Sequence, residues 1–309
     1  MARQKKYKVP KDYPYLPMEL PEIAAPESEI EIARLPYPVW TENKARFIEE
    51  YLYRFVMVTR HGAYIDGFAG PQYTNRLDMW AAKLVLESEP HWLRHFYLCE
   101  KRKNKLKALE QLKQSLPQVD SRGRKINRQV EIYPGDSNKH IQEILKSGVI
   151  SQKEATFCLL DQHTFECEWA TVQALANYKT AEHNKIEIFY FLAIKWLKRA
   201  LALLKNPEPA MNWWGQDDVY DLRNMKPTEI KDELVRRMKS DLGYKSAHAW
   251  PIFKRQGGGG GIMYYMIHAS DHSEAYKLMR RAYERAVRPK DQAEQFAMWS
   301  LFEQAQEQA

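Results

Sequence analysis

A chain of 309 residues, 44% hydrophobic and 12% aromatic, is long enough to bury one large α/β core or two small ones. It holds no apolar run of the roughly 18 residues a membrane helix needs. The basic opening, Met1 to Lys11, leads into Pro-rich polar sequence, which predicts no signal peptide. Cys99, Cys158 and Cys167 are too few and too irregularly spaced for a disulfide framework or a zinc site. Reduced, buried thiols and a cytoplasmic location are therefore expected. The formal charge of +7 is unevenly spread: residues 101–128 hold ten Lys/Arg against Glu110 and Asp120, and residues 223–290 hold fifteen against seven acids. Surfaces that face DNA or RNA phosphates show such excesses, and so do ordinary solvated helix faces.

Seven prolines in residues 1–38 predict an extended or disordered arm. Regular structure begins at Trp40, with Thr41 as candidate cap of a helix in which Phe47, Ile48, Tyr51, Leu52, Phe55 and Val56 recur at helical spacing. A short buried strand over 63–66 then runs into a glycine-containing turn. A helix over 81–86 precedes a strand over 96–99 that ends at Glu100, and a basic amphipathic helix covers 101–116. The next strand, 130–133, ends at the turn Gly135-Asp136 and is followed by a helix over 141–145. A strand over 156–160 ends at Asp161. Helix 169–178, strand 186–191 and helix 193–204 follow. Residues 206–226, with Trp213 and Trp214, read as an irregular insertion whose tryptophans either pack or stand exposed to stack on bases. A helix over 228–242 leads to strands over 249–253 and 262–268, joined by the glycine run 257–261. Helices over 273–287 and 291–303 end the chain. The α/β domain is thus expected over 39–290, with a C-terminal helix in 291–309.

Five strand-then-helix units in succession imply parallel pairing with helices on both faces. The last two strands share a short glycine-rich connection and must pair antiparallel. The expected fold is therefore α/β and Rossmann-like: a mostly parallel seven-stranded sheet closed by a C-terminal antiparallel hairpin strand, the plan of class I methyltransferases.

Ligands of open α/β sheets bind beyond the carboxyl ends of the strands. Here those ends carry Asp66, Glu100, Asp136 and Asp161. Each acid could simply cap the following helix, but four in succession suit a ligand rich in donors, such as a ribose diol, an adenine amine and an ammonium. The first turn, Asp66-Gly67-Phe68-Ala69-Gly70-Pro71, has the spacing G-x-x-G, and not the G-x-G-x-x-G of dinucleotide sites. Pro71 also removes a backbone donor where a pyrophosphate would need one. Both features favour S-adenosylmethionine (SAM) over NAD.

T-E-N-K-A-R-F-I-E-E-Y-L at 41–52 and Y-I-D-G-F-A-G-P at 64–71 resemble the three-Cys-motif partner (TcmP) proteins. So do G-D-S-N at 135–138 and L-L-D-Q-H-T-F-E-C-E-W at 159–169, and the likeness spans roughly residues 40–285. It implies a methyltransferase-like protein that binds SAM and works with a partner carrying a three-cysteine motif, of radical-SAM type. Carried over, Asp66, Gly67, Phe68, Ala69 and Gly70 would line the methionine side of the cofactor. Glu100 would take the ribose hydroxyls, and Asp136 with Ser137 or Asn138 the adenine. Lys44 is a weaker candidate for a pocket contact; the plainer reading is a solvated lysine on its helix.

Two departures stand out. Gln72 replaces the glycine common after Pro71. Where relatives read D-P-F-G or D-P-Y-G, this chain reads Asp161-Gln162-His163-Thr164. Enzymes that methylate exocyclic amines of flipped bases hold the amine at such a turn. Asp161 keeps the acceptor, Gln162 offers a carbonyl without proline's rigidity, and His163 either stacks, acts as a base or is a plain loop histidine. Two readings follow: a SAM-dependent methyltransferase acting on nucleic acid with Asp161, Gln162 and His163 as catalytic candidates, or a non-catalytic assembly subunit for the partner protein.

Overall fold

The structure is a computed structural model that describes residues 39–73, 76–253 and 262–286. All of these belong to the compact unit Tyr37–Ala309. The N-terminal arm, the glycine run 257–261 and the helix expected over 291–303 lie outside the described residues.

Seven strands form one sheet: β1 (Gly62–Asp66), β2 (Leu93–Glu100), β3 (Gln129–Pro134), β4 (Thr156–Leu160), β5 (Glu187–Leu192), β6 (Ser246–Phe253) and β7 (Ile262–Ser270). Their order is β3-β2-β1-β4-β5-β7-β6. The first five pair in parallel, while β7 enters antiparallel between β5 and β6. This is the class I methyltransferase topology. Strands β1, β4 and β5 are buried along their whole length, because helices cover both faces and no side of these strands meets water. At the β3 edge burial is only partial.

Alternation along each strand divides the core. One side gathers Tyr64, Phe157, Leu159, Phe189 and Phe191 under α1 (Val39–Thr59), α2 (Ala81–Glu87), α3 (Lys103–Ser115) and, at the end of the described chain, the helix Ala275–Ala286. The other gathers Ile65, Cys158, Leu160, Ile188 and Tyr190 under α4 (Ser137–Ser147), α5 (Trp169–Asn177), α6 (Ile194–Ala202), α7 (Glu208–Trp214) and α8 (Pro227–Ser240). The helix Ala275–Ala286 is α9. Because α8 and α9 bury their apolar stripes on opposite faces, the basic stretch 223–290 supplies two surfaces and not one. All three cysteines are buried and free. Among the described residues, no helix is long and apolar enough to cross a membrane.

Some expectations need correction. Helix α1 starts at Val39, so Thr41 lies in its first turn and is not its cap. Asp136 caps α4 by accepting from the Asn138 N–H at 2.8 Å, and this starts the helix at Ser137, four residues before the apolar stripe reveals it. Residues 206–226 are not irregular. They hold α7 and a 3-10 helix, Asp217–Arg223, with Trp213 and Trp214 stacked on each other in the core, centroids 5.6 Å apart. Buried tryptophans of this kind are packing, and the base-stacking alternative falls.

Candidate functional site

Strand order reverses between β1 and β4, and the chain leaving β1 lies across the carboxyl ends of its neighbours. Gly67 N–H extends the pairing with β4 by donating to Leu159 O at 2.9 Å. Phe68 N–H turns back to Asp66 Oδ1 (2.9 Å), Ala69 N–H donates to Cys99 O (2.9 Å), and Gly70 N–H donates to Glu100 Oε2 (3.0 Å). Trp80 Nε1 anchors the same loop through Ala69 O at 2.6 Å. The two glycines differ in necessity. A Cβ on Gly70 would stand 2.2 Å from Glu100 Oε2 and 2.6 Å from Lys105 Cβ, so only glycine lets the loop settle on β2. At Gly67 an added Cβ would merely crowd Leu160 Cδ2, at 3.2 Å.

Asp66 is 1% exposed and accepts from Tyr64 Oη at 2.8 Å as well as from Phe68 N–H. Burial pushes its carboxyl up to about 7, against the pull of those two donors and with the nearby charges of Asp161 and Glu100 adding to the rise. That mutual repulsion reports the convergence of the acids ending β1, β2 and β4. Glu100, also buried, accepts Gly70 N–H on Oε2 and Arg102 N–H on Oε1 (2.8 Å). A carboxylate offers about four lone-pair sites, so both oxygens keep capacity for further donors. Beside it, desolvation lowers the Lys105 ammonium, opposed by the Glu100 charge. Gly135 N–H ties the end of β3 to Glu100 O at 3.0 Å and sets Asp136 at the exposed rim.

Of the residues expected with Asp136, Ser137 is buried, and Asn138 is committed elsewhere. Its amide donates to Glu166 O (2.8 Å) and accepts from Glu168 N–H and Thr171 Oγ1, both 2.9 Å, which knits α4 to the segment before α5.

At the end of β4 the plainer reading of Lys44 is overturned. Lys44 is 7% exposed, and its Nζ donates to both Asp161 oxygens at 2.9 and 2.6 Å while standing 4.9 Å from the Phe191 ring centroid. The signal was present in the sequence: position 44 falls on the same helical stripe as Phe47, Ile48 and Tyr51. Gln162 is 2% exposed and spans the next turn, accepting from Cys167 N–H at 2.9 Å and donating to Phe191 O at 3.4 Å. His163 follows in the same turn, with its ring 6.0 Å from that of Trp196, edge on. Burial lowers its pKa, opposed by the charges of Glu166 and Asp161, which favours the neutral imidazole near pH 7. Phe191 and Tyr264, centroids 4.5 Å apart, extend the aromatic wall. None of the four aromatic residues except His163 was singled out from the sequence, because they come from β5, α6 and β7 and meet only in the folded sheet.

The arrangement therefore brings together Asp66, Glu100, Asp161, Lys44, Lys105 and an aromatic wall. Its carboxylates outnumber its ammonium groups, its loop is in backbone contact with β2, and Gly70 leaves no room for a side chain. No family model matches the sequence, and no curated protein matches it. Among solved structures, a crystal structure of protein LPL1258 from Legionella pneumophila str. Philadelphia 1, of family DUF519, superimposes with a TM-score of 0.43 at 10% identity, over 80% of this chain and 92% of that one. So distant a likeness carries no argument about function, which rests on the site itself.

Proposed function

We propose that the protein is a SAM-dependent methyltransferase acting on a nucleic-acid base, an exocyclic amine being the target that suits Asp161 best. The observation that carries this reading is the meeting of three strand-end carboxylates around a loop that only glycine can close, at the switch point of a class I methyltransferase sheet. When bound, SAM supplies an activated methyl group on a sulfonium. The chain's own residues then have separable tasks. Glu100 accepts from the ribose hydroxyls with the lone pairs that Gly70 and Arg102 leave open. Asp136 stands at the rim for the adenine amine. Asp66 holds the loop and places negative potential beneath a cationic ligand. Asp161 accepts from the acceptor amine, and neutral His163 takes up a released proton. Methyl transfer to an amine depends on positioning and in-line approach more than on a strong base.

A second reading has its own support. Asp161 is neutralised by Lys44 and Gln162 is committed to backbone partners, so two side chains of the acceptor turn already serve the fold. That suits an assembly subunit for the three-cysteine-motif partner that the TcmP resemblance implies. Calorimetric titration with SAM, with NAD as control, separates the two. Binding at micromolar strength by SAM alone, weakened at least tenfold in Glu100→Ala, is the expected result. Absence of SAM binding by the purified chain would move the assembly reading to first place.

A further inference from the structure

We infer that Lys44 is a built-in occupant of the acceptor subsite: its ammonium fills the place taken by the amine of a planar base, and the acceptor binds by displacing it. The inference rests on the methyltransferase reading for the identity of the pocket, but it concerns only residues of this chain.

The strand-end acids are not alike. Asp66, Glu100 and Asp136 each accept a backbone N–H from the turn that follows, so each helps to shape its loop. Asp161 accepts none: among the described residues its side chain has a single hydrogen-bonding partner, Lys44, from a helix 117 residues earlier. The Asp161 side chain is also the more open of the two, 21% exposed against 9% for Lys44, so solvent reaches the carboxylate side of the pair. Its surroundings are those of a recognition site. The ammonium rests on the face of Phe191, Tyr264 lies against Phe191, and the His163–Trp196 pair stands beside the same turn. A carboxylate under aromatic rings recognises a donor borne on a flat, polarisable body. An amino-substituted heterocycle such as cytosine or adenine has that form, and Lys44 supplies the same N–H donors while the pocket awaits it. Removing one member of a partly buried ion pair leaves the other uncompensated. Lys44 therefore withdraws only when incoming N–H groups replace it, and an exocyclic amine offers two such hydrogens where an oxo analogue offers a single ring N–H, which favours amine-bearing bases.

The test is calorimetric titration of wild type, Lys44→Met and Asp161→Asn with cytidine and adenosine, set against uridine and inosine, which lack the exocyclic amine. Lys44→Met is expected to bind cytidine or adenosine at least fivefold more tightly than wild type, with uridine and inosine unchanged, and Asp161→Asn to lose the preference. Equal or weaker binding in Lys44→Met, an equal gain for all four nucleosides, or no nucleoside binding by any variant would overturn the inference. If thermal melts show that Lys44→Met does not fold, Lys44→Gln carries the same test with the polar end retained. SAM is titrated separately. A gain for amine nucleosides without SAM binding would keep Lys44 in this role and defeat the methyltransferase reading. SAM binding without the gain would do the reverse.

Discussion

At Asp66 the cost of the site is concentrated in one group. The folded protein holds this carboxyl at about 7 because burial opposes its charge, whereas an unfolded chain holds it near 3.9. Between those values the folded state binds the extra proton, so the contribution of Asp66 to stability is fully present below about pH 4 and is lost as pH rises through 7. Asp66→Asn keeps acceptors and donors for Phe68 N–H and the Tyr64 hydroxyl while removing the titration. Denaturant melts should find the variant more stable than wild type at pH 8 by something on the order of 2 to 4 kcal/mol, with the difference gone near pH 4. A constant difference across that range would refute the assignment. Its SAM affinity should nonetheless fall, since the ligand loses its countercharge. Gly70 gives a sharper steric contrast: Gly70→Ala meets Glu100 and Lys105 head-on and should weaken SAM binding tenfold or more by calorimetry, while Gly67→Ala, facing the end of a leucine side chain, should change it little. The four strand-end acids were legible in the sequence because each follows an apolar run that must be a strand. The Lys44 pairing was not, since an ion pair across 117 residues leaves no local pattern except the stripe on which Lys44 lies.

Elements with a strong period were read well, and those without one were missed. Strand β4 matches its expected bounds because the apolar run 156–160 is buried on both faces and flanked by polar turns. The insertion was misread because α7 has seven residues and the 3-10 helix another seven, too short for a convincing period in polar sequence. Its organiser is a cation. Lys198 of α6 reaches the carbonyl ends of the 3-10 helix and its exit, donating to Leu222 O (3.1 Å), Arg223 O (2.6 Å) and Met225 O (2.5 Å). These carbonyls have no intrahelical donor, and a charged donor shared among three of them makes stronger bonds than a neutral one. Lys198→Met should destabilise the protein by about 1 to 3 kcal/mol. Hydrogen exchange should show the loosening confined to residues 217–225, with the sheet unaffected. Uniform exchange across the fold would mean that Lys198 matters to the whole and not to this segment.

Charge is where the whole molecule decides what composition left open. The two basic stretches look equivalent in sequence, each with an excess of eight cations. In the structure they are not. On α8, Lys231 pairs with Asp232, Arg236 with Glu233 and Asp241, and Arg237 with Asp241. On α9, Lys277 pairs with Glu274, Arg280 with Glu284, and Arg285 reaches Glu50. Six cations of 223–290 are thus each held beside a carboxylate. Around α3, Lys101, Lys103, Lys107 and Lys113 are exposed, and among the described residues no carboxylate pairs with any of them. The N-terminal end of α3 follows directly on Glu100, so a phosphate backbone lying along α3 would reach the carboxyl end of β2. Nucleic-acid affinity should therefore depend on α3. The double change Lys103→Glu and Lys107→Glu should weaken binding to a single-stranded oligonucleotide, and the slope of log K against log salt should fall in magnitude by roughly 0.7 for each phosphate left without its lysine. Reversing Lys277 and Arg280 should leave that slope nearly unchanged, because each already directs its charge to a helical neighbour. Equal effects from the two pairs would mean that net charge alone attracts the polymer, with no surface singled out. A weakening confined to the α3 pair would place the strand on the face of the sheet where Lys44, Asp161 and the aromatic wall meet.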